Sequence, residues 1–209
     1  MNSFMSELKD TLKARFGEHR VSELLVKEGE TPLLIISLEL RTPVTIVMTN
    51  GMSNYRMPVP EKLEGEDYNE LYFCLPSYWE WEDTSNPEMN WVFDWIQRLA
   101  KHVIEKKTWF GHGHTMPCGS ELKTLSNTMK QNHFFLTNPI LLENELEKVQ
   151  LGDKSIHFLA IVPIFIKEFE FKQSRGTFKF IRKLVNKGVS EKLDDFRDSV
   201  TKSKWRFKS

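Results

Sequence analysis

One stretch of the sequence combines residue types that could do chemistry: TWFGHGHTMPCG, residues 108–119, called the His-Gly loop below. His112 and His114 could bind a zinc ion together, and Cys118 could serve as a thiol nucleophile. A catalytic zinc usually has three protein ligands, and here the third would have to be Cys118, His133 or His157, brought close by the fold. No HExxH or CxxC spacing strengthens that possibility.

We therefore interpret the His-Gly loop as structural. His114 is expected to hold the loop against Trp109 or the neighbouring strands, and Cys118 is expected to be a partly exposed thiol of ordinary reactivity. This interpretation predicts no catalytic residue, no metal and no cofactor. A metal- or thiol-dependent hydrolase that uses His112, His114 and Cys118 is the alternative.

Composition predicts one soluble domain. The chain has 209 residues, of which 40% are hydrophobic and 28% are charged, which is enough apolar surface for a single core. Its two cysteines do not suggest a disulfide framework, so a reducing compartment is expected. We find no signal-peptide pattern and no uncharged apolar stretch that could cross a bilayer, and we expect a cytoplasmic protein with no membrane partner.

The zero net charge hides two regions of opposite sign. Residues 61–94 contain ten acidic residues and one basic residue, whereas residues 167–209 contain thirteen basic and six acidic residues. Either region could be a binding face, or both could be ordinary solvated surface. The candidate partner-binding residues are the acidic side chains and tryptophans predicted to lie in loops of the first region: Glu64, Glu66, Asp67, Trp79, Trp81, Glu82 and Asp83.

The apolar periodicity predicts an α+β fold. Phe4, Leu8, Leu12 and Phe16 indicate a helix within residues 1–19. Strands are predicted from β-rich runs, namely LLVKE, TPLLIISLEL, VTIVMTN, LYFCLP, HFFLTNPILL and IHFLAIVPIFI. A Ser85–Glu88 capping box predicts the start of a long helix with Trp91, Trp95, Leu99 and Val103 on one face. A later helix is predicted through Phe178, Ile181, Leu184 and Val185.

These elements predict a single domain, residues 1–209, with a mixed, largely antiparallel sheet flanked by helices. Residues 20–200 would form its core and residues 201–209 a basic tail.

Several short motifs resemble the suppressor-of-fused domain family, in the family's order and at about its spacing. They extend over roughly residues 20–200, and are Thr49-Asn-Gly-Met-Ser53, Glu70-Leu-Tyr-Phe-Cys-Leu-Pro76, Trp95 with Leu99-Ala100, Gly113-His-Thr115, Phe158-Leu, Pro163, Glu168, Lys187-Gly-Val and Arg197-Asp-Ser-Val. Within these motifs we expect structural roles for Gly51, Met52, Ser53, Gly113, His114 and Thr115.

The resemblance implies a mixed α+β fold that binds other proteins and has no catalytic residues or cofactor. Animal members of the family restrain a zinc-finger transcription factor of the Hedgehog pathway. Stand-alone bacterial members, which this chain resembles, have been proposed as immunity proteins against polymorphic toxins. We rank three hypotheses in this order. The first is that the chain binds a protein partner, a toxin domain, and the second is that it is a hydrolase. The third is that its basic C-terminal third binds nucleic acid.

Overall fold

An eight-stranded mixed sheet forms the centre of the computed structural model, which describes residues 3–83, 85–118, 124–126 and 128–202. The strands are β1 (Val21–Leu24), β2 (Leu33–Leu38), β3 (Val44–Thr49), β4 (Tyr68–Pro76), β5 (Thr115–Pro117), β6 (His133–Thr137), β7 (Val149–Leu151) and β8 (Lys154–Ile164). The helices are α1 (Ser3–Phe16), α2 (Pro87–Glu105), α3 (Ile166–Arg175) and α4 (Thr177–Val185). This architecture confirms the predicted α+β class.

The strand order is β1-β2-β3-β4-β8-β6-β5. The short strand β7 lies outside this order and pairs with β8. Among the described strands, β4 and β8 pair in parallel, and every other pair is antiparallel. The two parallel strands are far apart in sequence because α2 and three strands lie between them. The predicted mixed, largely antiparallel sheet is therefore confirmed.

Both faces of the sheet are covered, so its central strands are apolar at almost every position. Alternate residues point to opposite faces, as Phe134 and Phe135 do in β6. Phe135 packs in the core that contains Leu8 of α1 and Phe180 of α4. Phe134 packs in the second core, beneath α2. Each fully buried side chain of this size contributes about 1.5–3 kcal/mol to folding.

The N-terminus of α2 is capped by a different residue from the one that the capping box predicted. Asn86, not Ser85, caps α2: its side chain accepts the Glu88 N–H at 3.0 Å. Ser85 instead donates its hydroxyl to Asp83. The Pro87 ring at the first helical position has no N–H to satisfy, which fits Asn86 as the cap.

The predicted late helix is α4, and a further helix, α3, precedes it. Gly176 ends α3 and precedes α4 with φ 84°, a conformation that glycine adopts at little cost. Phe180 and Leu184 face the core, whereas Phe178 is 76% exposed and Val185 is 50% exposed. Phe178 and Val185 therefore belong to the helical period that predicted α4 but not to the core.

The first strand lies earlier than predicted. β1 pairs with β2 from Val21↔Ile36 to Leu24↔Leu33, so the run LLVKE contributes only its first residue to the sheet. Leu25 is 98% exposed. At the chain ends, Leu8 and Leu12 of α1 are buried as expected. The side chain of Phe4 and residues 203–209 of the basic tail lie outside the described structure.

No helix in the described part of the chain is long and apolar enough to span a membrane.

Candidate protein-binding surface

The His-Gly loop runs from the end of α2 into β5, and its histidines make structural contacts. The His112 Nδ1 atom accepts the Asn138 N–H at 3.1 Å. The His114 ring lies against the Trp109 ring at a centroid distance of 4.2 Å, as expected, and its carbonyl accepts the Leu136 N–H. Burial lowers the pKa of both imidazoles, which favours their neutral forms.

The features that the hydrolase alternative needs are not brought together. Within the described ranges, no group of three His, Cys, Asp or Glu side chains is arranged to hold a metal ion. Burial raises the pKa of the Cys118 thiol to about 12, which disfavours the thiolate that a nucleophile requires. The loop borders an open cleft of about 380 Å³ lined by His102, Trp109, His114 and Lys172, among others.

A buried carboxylate explains the Thr49–Ser53 motif. Glu70, fully buried in β4, accepts the backbone N–H groups of Gly51, Met52 and Ser53 at 2.9–3.2 Å, and it also accepts the hydroxyls of Thr49 and Ser53. Gly51 has φ 151° at this turn, and an added Cβ would lie 3.1 Å from the Met5 sulfur. Burial raises the pKa of Glu70, while the bonds to the turn oppose that rise. The motif is a turn built around Glu70.

Two more buried glutamates bind other loops to the sheet. Glu191 accepts the N–H groups of Ile140, Leu141 and Leu142 at 2.7–3.1 Å. The Glu168 carboxylate accepts hydrogen bonds from both terminal nitrogens of Arg197 at 2.7 and 2.9 Å. Sequence reasoning did not identify these roles. Glu168 carried a signal, because it lies among the apolar residues of FIKEFEF and a buried carboxylate must find hydrogen-bond donors, whereas the polar surroundings of Glu191 gave none.

Gly113-His-Thr115 is placed where the His-Gly loop meets β6 and α4. The Gly113 N–H donates to the Leu136 carbonyl at 2.8 Å. A Cβ on Gly113 would lie 3.0 Å from the Thr177 hydroxyl, and Thr115 pairs with Phe135 in the sheet. The contacts of the two glycine motifs are therefore contacts within the fold.

The predicted partner-binding residues do not form one surface. Glu64, Glu66 and Asp67 precede β4, whereas residues 79–83 follow it. A strand of nine residues spans about 27 Å, so the acidic segment is divided between opposite ends of the sheet. In the first group, Asp67 is only 8% exposed and pairs with Arg56 at 2.6 Å.

Trp79 cannot be the exposed anchor that its loop position suggested. It is 3% exposed, it packs edge-on against Trp91 at a centroid distance of 6.0 Å, and its indole N–H donates to the Met89 carbonyl. A turn after β4 returns the chain to α2 and places this side chain in the core. Trp81 remains half-buried at the surface, and Glu82 and Asp83 are exposed.

Trp81 lines an open groove between α2 and the β1–β2 connection, called the α2 groove below. Its volume is about 370 Å³, and its walls include Leu24, Leu25, Val26, Trp81, Phe93 and Asp94. Gln97 fixes the two walls relative to each other, because its side chain bonds both the N–H and the carbonyl of Thr31 at 2.9 and 2.7 Å. The groove is a preformed apolar surface with carboxylates at its rim.

The family model for suppressor of fused protein (SUFU) matches residues 29–198 of the chain. The chain belongs to the suppressor of fused family. No curated protein matches it by sequence.

Solved suppressor of fused structures share the fold at low sequence identity. The protein of the Sufu–Fu complex is 16% identical, with a TM-score of 0.67 over 94% of this chain and 92% of its own. Drosophila Suppressor of Fused is 18% identical, with a TM-score of 0.65 over 92% of this chain, which spans half of the Drosophila chain. A SUFU homolog from Neisseria gonorrhoeae FA 1090 is 16% identical, with a TM-score of 0.61 over 95% of this chain and 100% of its own.

The suppressor of fused match contains the three buried glutamates and α2 but begins after Val26. One wall of the α2 groove therefore belongs to the matched region, and the other wall, residues 24–27, precedes it.

Proposed function

We propose that this suppressor of fused domain is a non-enzymatic protein-binding module that acts as a cytoplasmic immunity protein and occludes a toxin domain with its α2 groove. The observation that carries the proposal is the groove itself, because it is apolar, open and already shaped in the isolated chain. The similar structure known in complex with Fu supports protein binding in general, and the match to the whole length of the Neisseria SUFU homolog is consistent with the stand-alone form for which the immunity role is proposed.

The groove has the composition of an interface centre. Leu25 is 98% exposed at one wall, and Trp81 and Phe93 are half-buried at the other. Covering one leucine side chain gains about 1.5–3 kcal/mol, and tryptophan is among the residues that most often dominate binding energy. A partner that inserts an apolar side chain here would recover the free energy lost by exposing these residues.

The charge at the rim defines the chemistry of the partner. Glu30 and Asp94 line the groove, and Glu82 and Asp83 follow Trp81. Toxins that attack nucleic acid must present lysine and arginine to a phosphate backbone. An acidic rim would attract such a surface and cover it, which links binding to neutralisation.

We expect the partner toxin to be encoded beside this gene, and the test uses a toxin found there. Co-expression of this chain should restore growth of cells that produce the toxin, and the purified pair should form a complex by biolayer interferometry. Leu25→Asp and Trp81→Ala should each weaken the complex about tenfold or more. Phe178→Asp, which changes an apolar residue that is 76% exposed on the other side of the sheet, is the control.

Three results would count against the proposal. If the wild-type chain neither binds nor neutralises the toxin, the immunity role is wrong. If both groove variants bind at full strength, the interface lies elsewhere. If Trp109→Ala abolishes binding while the groove variants keep it, the cleft of the His-Gly loop is the interface.

A further inference from the structure

Two apolar side chains of α4 are exposed where the helical pattern predicts core residues. Phe178 is 76% exposed and Val185 is 50% exposed. They recur with Arg182 at i, i+4 and i+7, so the three side chains share the outer face of the helix. The opposite face carries Phe180 and Leu184 into the core. The rise of a helix separates Phe178 from Val185 by about 10 Å.

Basic side chains surround this apolar pair. Residues 167–187 contain seven basic and two acidic residues, and one of the acids, Glu168, is buried against Arg197. Within the described structure, no carboxylate forms an ion pair with any of the seven cations. The exposed cations among them, together with Phe178 and Val185, are called the α3–α4 basic face below: Lys167, Arg175, Lys179, Arg182 and Lys187.

We propose that the α3–α4 basic face docks the protein peripherally on an anionic phospholipid bilayer. Phe178 and Val185 would enter the headgroup region, and the surrounding cations would pair with lipid phosphates. Each lysine or arginine near such a surface adds to the electrostatic attraction, so the five exposed cations would supply a large part of the binding. The expectation of no membrane partner rested on the lack of a spanning stretch, and a peripheral contact needs none.

The shape of the face favours a bilayer over the other anionic partners. It is the outer surface of two helices rather than a groove, and a single strand of nucleic acid is usually held in a basic groove with several stacking aromatics. Phe178 is the only aromatic residue among the exposed side chains of α3 and α4 in the described structure, and Val185 cannot stack on a base. Flexible lysines spread over a convex surface suit mobile headgroups, which rearrange around them.

This proposal concerns the side of the sheet opposite the α2 groove, and its test uses no toxin. The full chain is sedimented with vesicles of phosphatidylcholine containing about one third phosphatidylglycerol, and with vesicles of phosphatidylcholine alone. Binding is expected to the anionic vesicles only and should weaken as salt is raised. A single-stranded oligothymidylate is titrated separately.

Two kinds of variant separate the face from the overall charge. Lys179→Glu/Arg182→Glu should weaken vesicle binding about tenfold or more. The control Lys62→Glu/Lys148→Glu changes the net charge equally at exposed positions outside the face and should bind like the wild type. Phe178→Ala should weaken binding several-fold with the salt dependence retained. All five side chains are exposed, and circular dichroism verifies folding.

Absence of binding to the anionic vesicles at low salt would overturn the proposal. So would equal losses in the two double variants, because then only net charge matters. Tight binding of the oligothymidylate without vesicle binding would assign the face to nucleic acid.

Discussion

At the scale of single residues, Glu70 has more influence on local structure than any of the histidines that attract attention in the sequence. It accepts five hydrogen bonds from residues 49–53, and it has no contact with water. A carboxylate can remain in such a site only because donors surround it. The turn and the strand therefore depend on each other.

Glu70→Gln should destabilise the protein by about 1–3 kcal/mol. Both oxygens of Glu70 accept a backbone N–H, so either orientation of the glutamine amide places an N–H₂ group against a donor. Urea unfolding measures the change. Glu64→Gln, at an exposed position, is the control and should leave stability unchanged. Equal stability of the two variants would mean that the turn does not depend on Glu70.

Cys118 should resist alkylation in the folded protein. Its pKa is raised to about 12 by burial, so the thiolate fraction at pH 8 is far below that of the unfolded chain. Iodoacetamide should modify Cys118 about a hundredfold more slowly in the native protein than in urea. Rapid native modification would restore the case for a nucleophilic thiol.

The sequence predicted the residues of both glycine motifs but not the partners that explain them. Gly51 and Gly113 are recognisable locally, because turns favour glycine. Glu70 lies in the next strand, and only the β3–β4 register brings it to Gly51. The prediction that Trp79 is an exposed binding residue was wrong for a related reason. The polarity of neighbouring residues does not reveal which side of a turn faces the core.

At the scale of elements, the C-terminal segment is held to the sheet by buried charge. Arg197 is 7% exposed at its side chain, pairs with Glu168 through two bonds, and donates to the Pro163 carbonyl at 2.8 Å. The Leu193 N–H donates to the Cys74 carbonyl at 2.8 Å, which extends the attachment to β4. The C-terminal segment therefore packs against the sheet and contributes to the core.

Arg197→Ala should destabilise the protein by about 3–5 kcal/mol, because it leaves the Glu168 carboxylate buried and unpaired. The double variant Arg197→Met/Glu168→Gln should recover part of the loss, since no charge remains in the site. Arg175→Ala, at an exposed position, is the control for loss of an arginine. Denaturant unfolding of the four proteins measures these differences, and a harmless Arg197→Ala would contradict the role of the pair.

Helices and strands were predictable where the apolar pattern extends over many residues. The positions at which these elements begin and end were less predictable. β8 and α2 follow from runs of more than ten residues. β1 was displaced because LLVKE looks like a strand on its own, whereas its pairing with β2 stops at Leu24. The α3–α4 break depends on one glycine, Gly176, which helices also tolerate.

At the scale of the whole molecule, three histidines whose pKa is lowered should make stability depend on pH: the exposed His112, the half-buried His114 and the buried His133. Burial lowers the pKa of His112, His114 and His133 below the ordinary value of 6.5. The unfolded chain then binds protons that the folded chain does not, so stability is complete above about pH 6.5 and falls as the pH drops below it. Thermal unfolding between pH 7.5 and 5.5 should show about a few degrees of loss, which His114→Gln should reduce. A flat profile would contradict this assignment.

The division of the acidic segment by β4 could not be predicted from charge counts, because it depends on how the strand crosses the sheet. It also provides a matched experiment on partner binding. Glu64 and Glu66 precede β4, and Glu82 and Asp83 follow it beside Trp81.

Reversal of the charges at the α2 groove should slow association with a basic toxin more than the same reversal at the other end of β4. Glu82→Lys/Asp83→Lys and Glu64→Lys/Glu66→Lys change the net charge equally, but only the first pair lies beside the proposed interface. Charges at an interface rim act mainly on the association rate, and salt screens them over about 10 Å. Stopped-flow association with the toxin encoded beside this gene should therefore show about a tenfold slower rate for the first variant at low salt, and a smaller difference at high salt. Dissociation should change little, because Trp81 and Leu25 still line the groove and contact the partner. Equal slowing by both variants would mean that the partner senses only overall charge, and an effect confined to Glu64 and Glu66 would move the interface to the opposite end of the sheet.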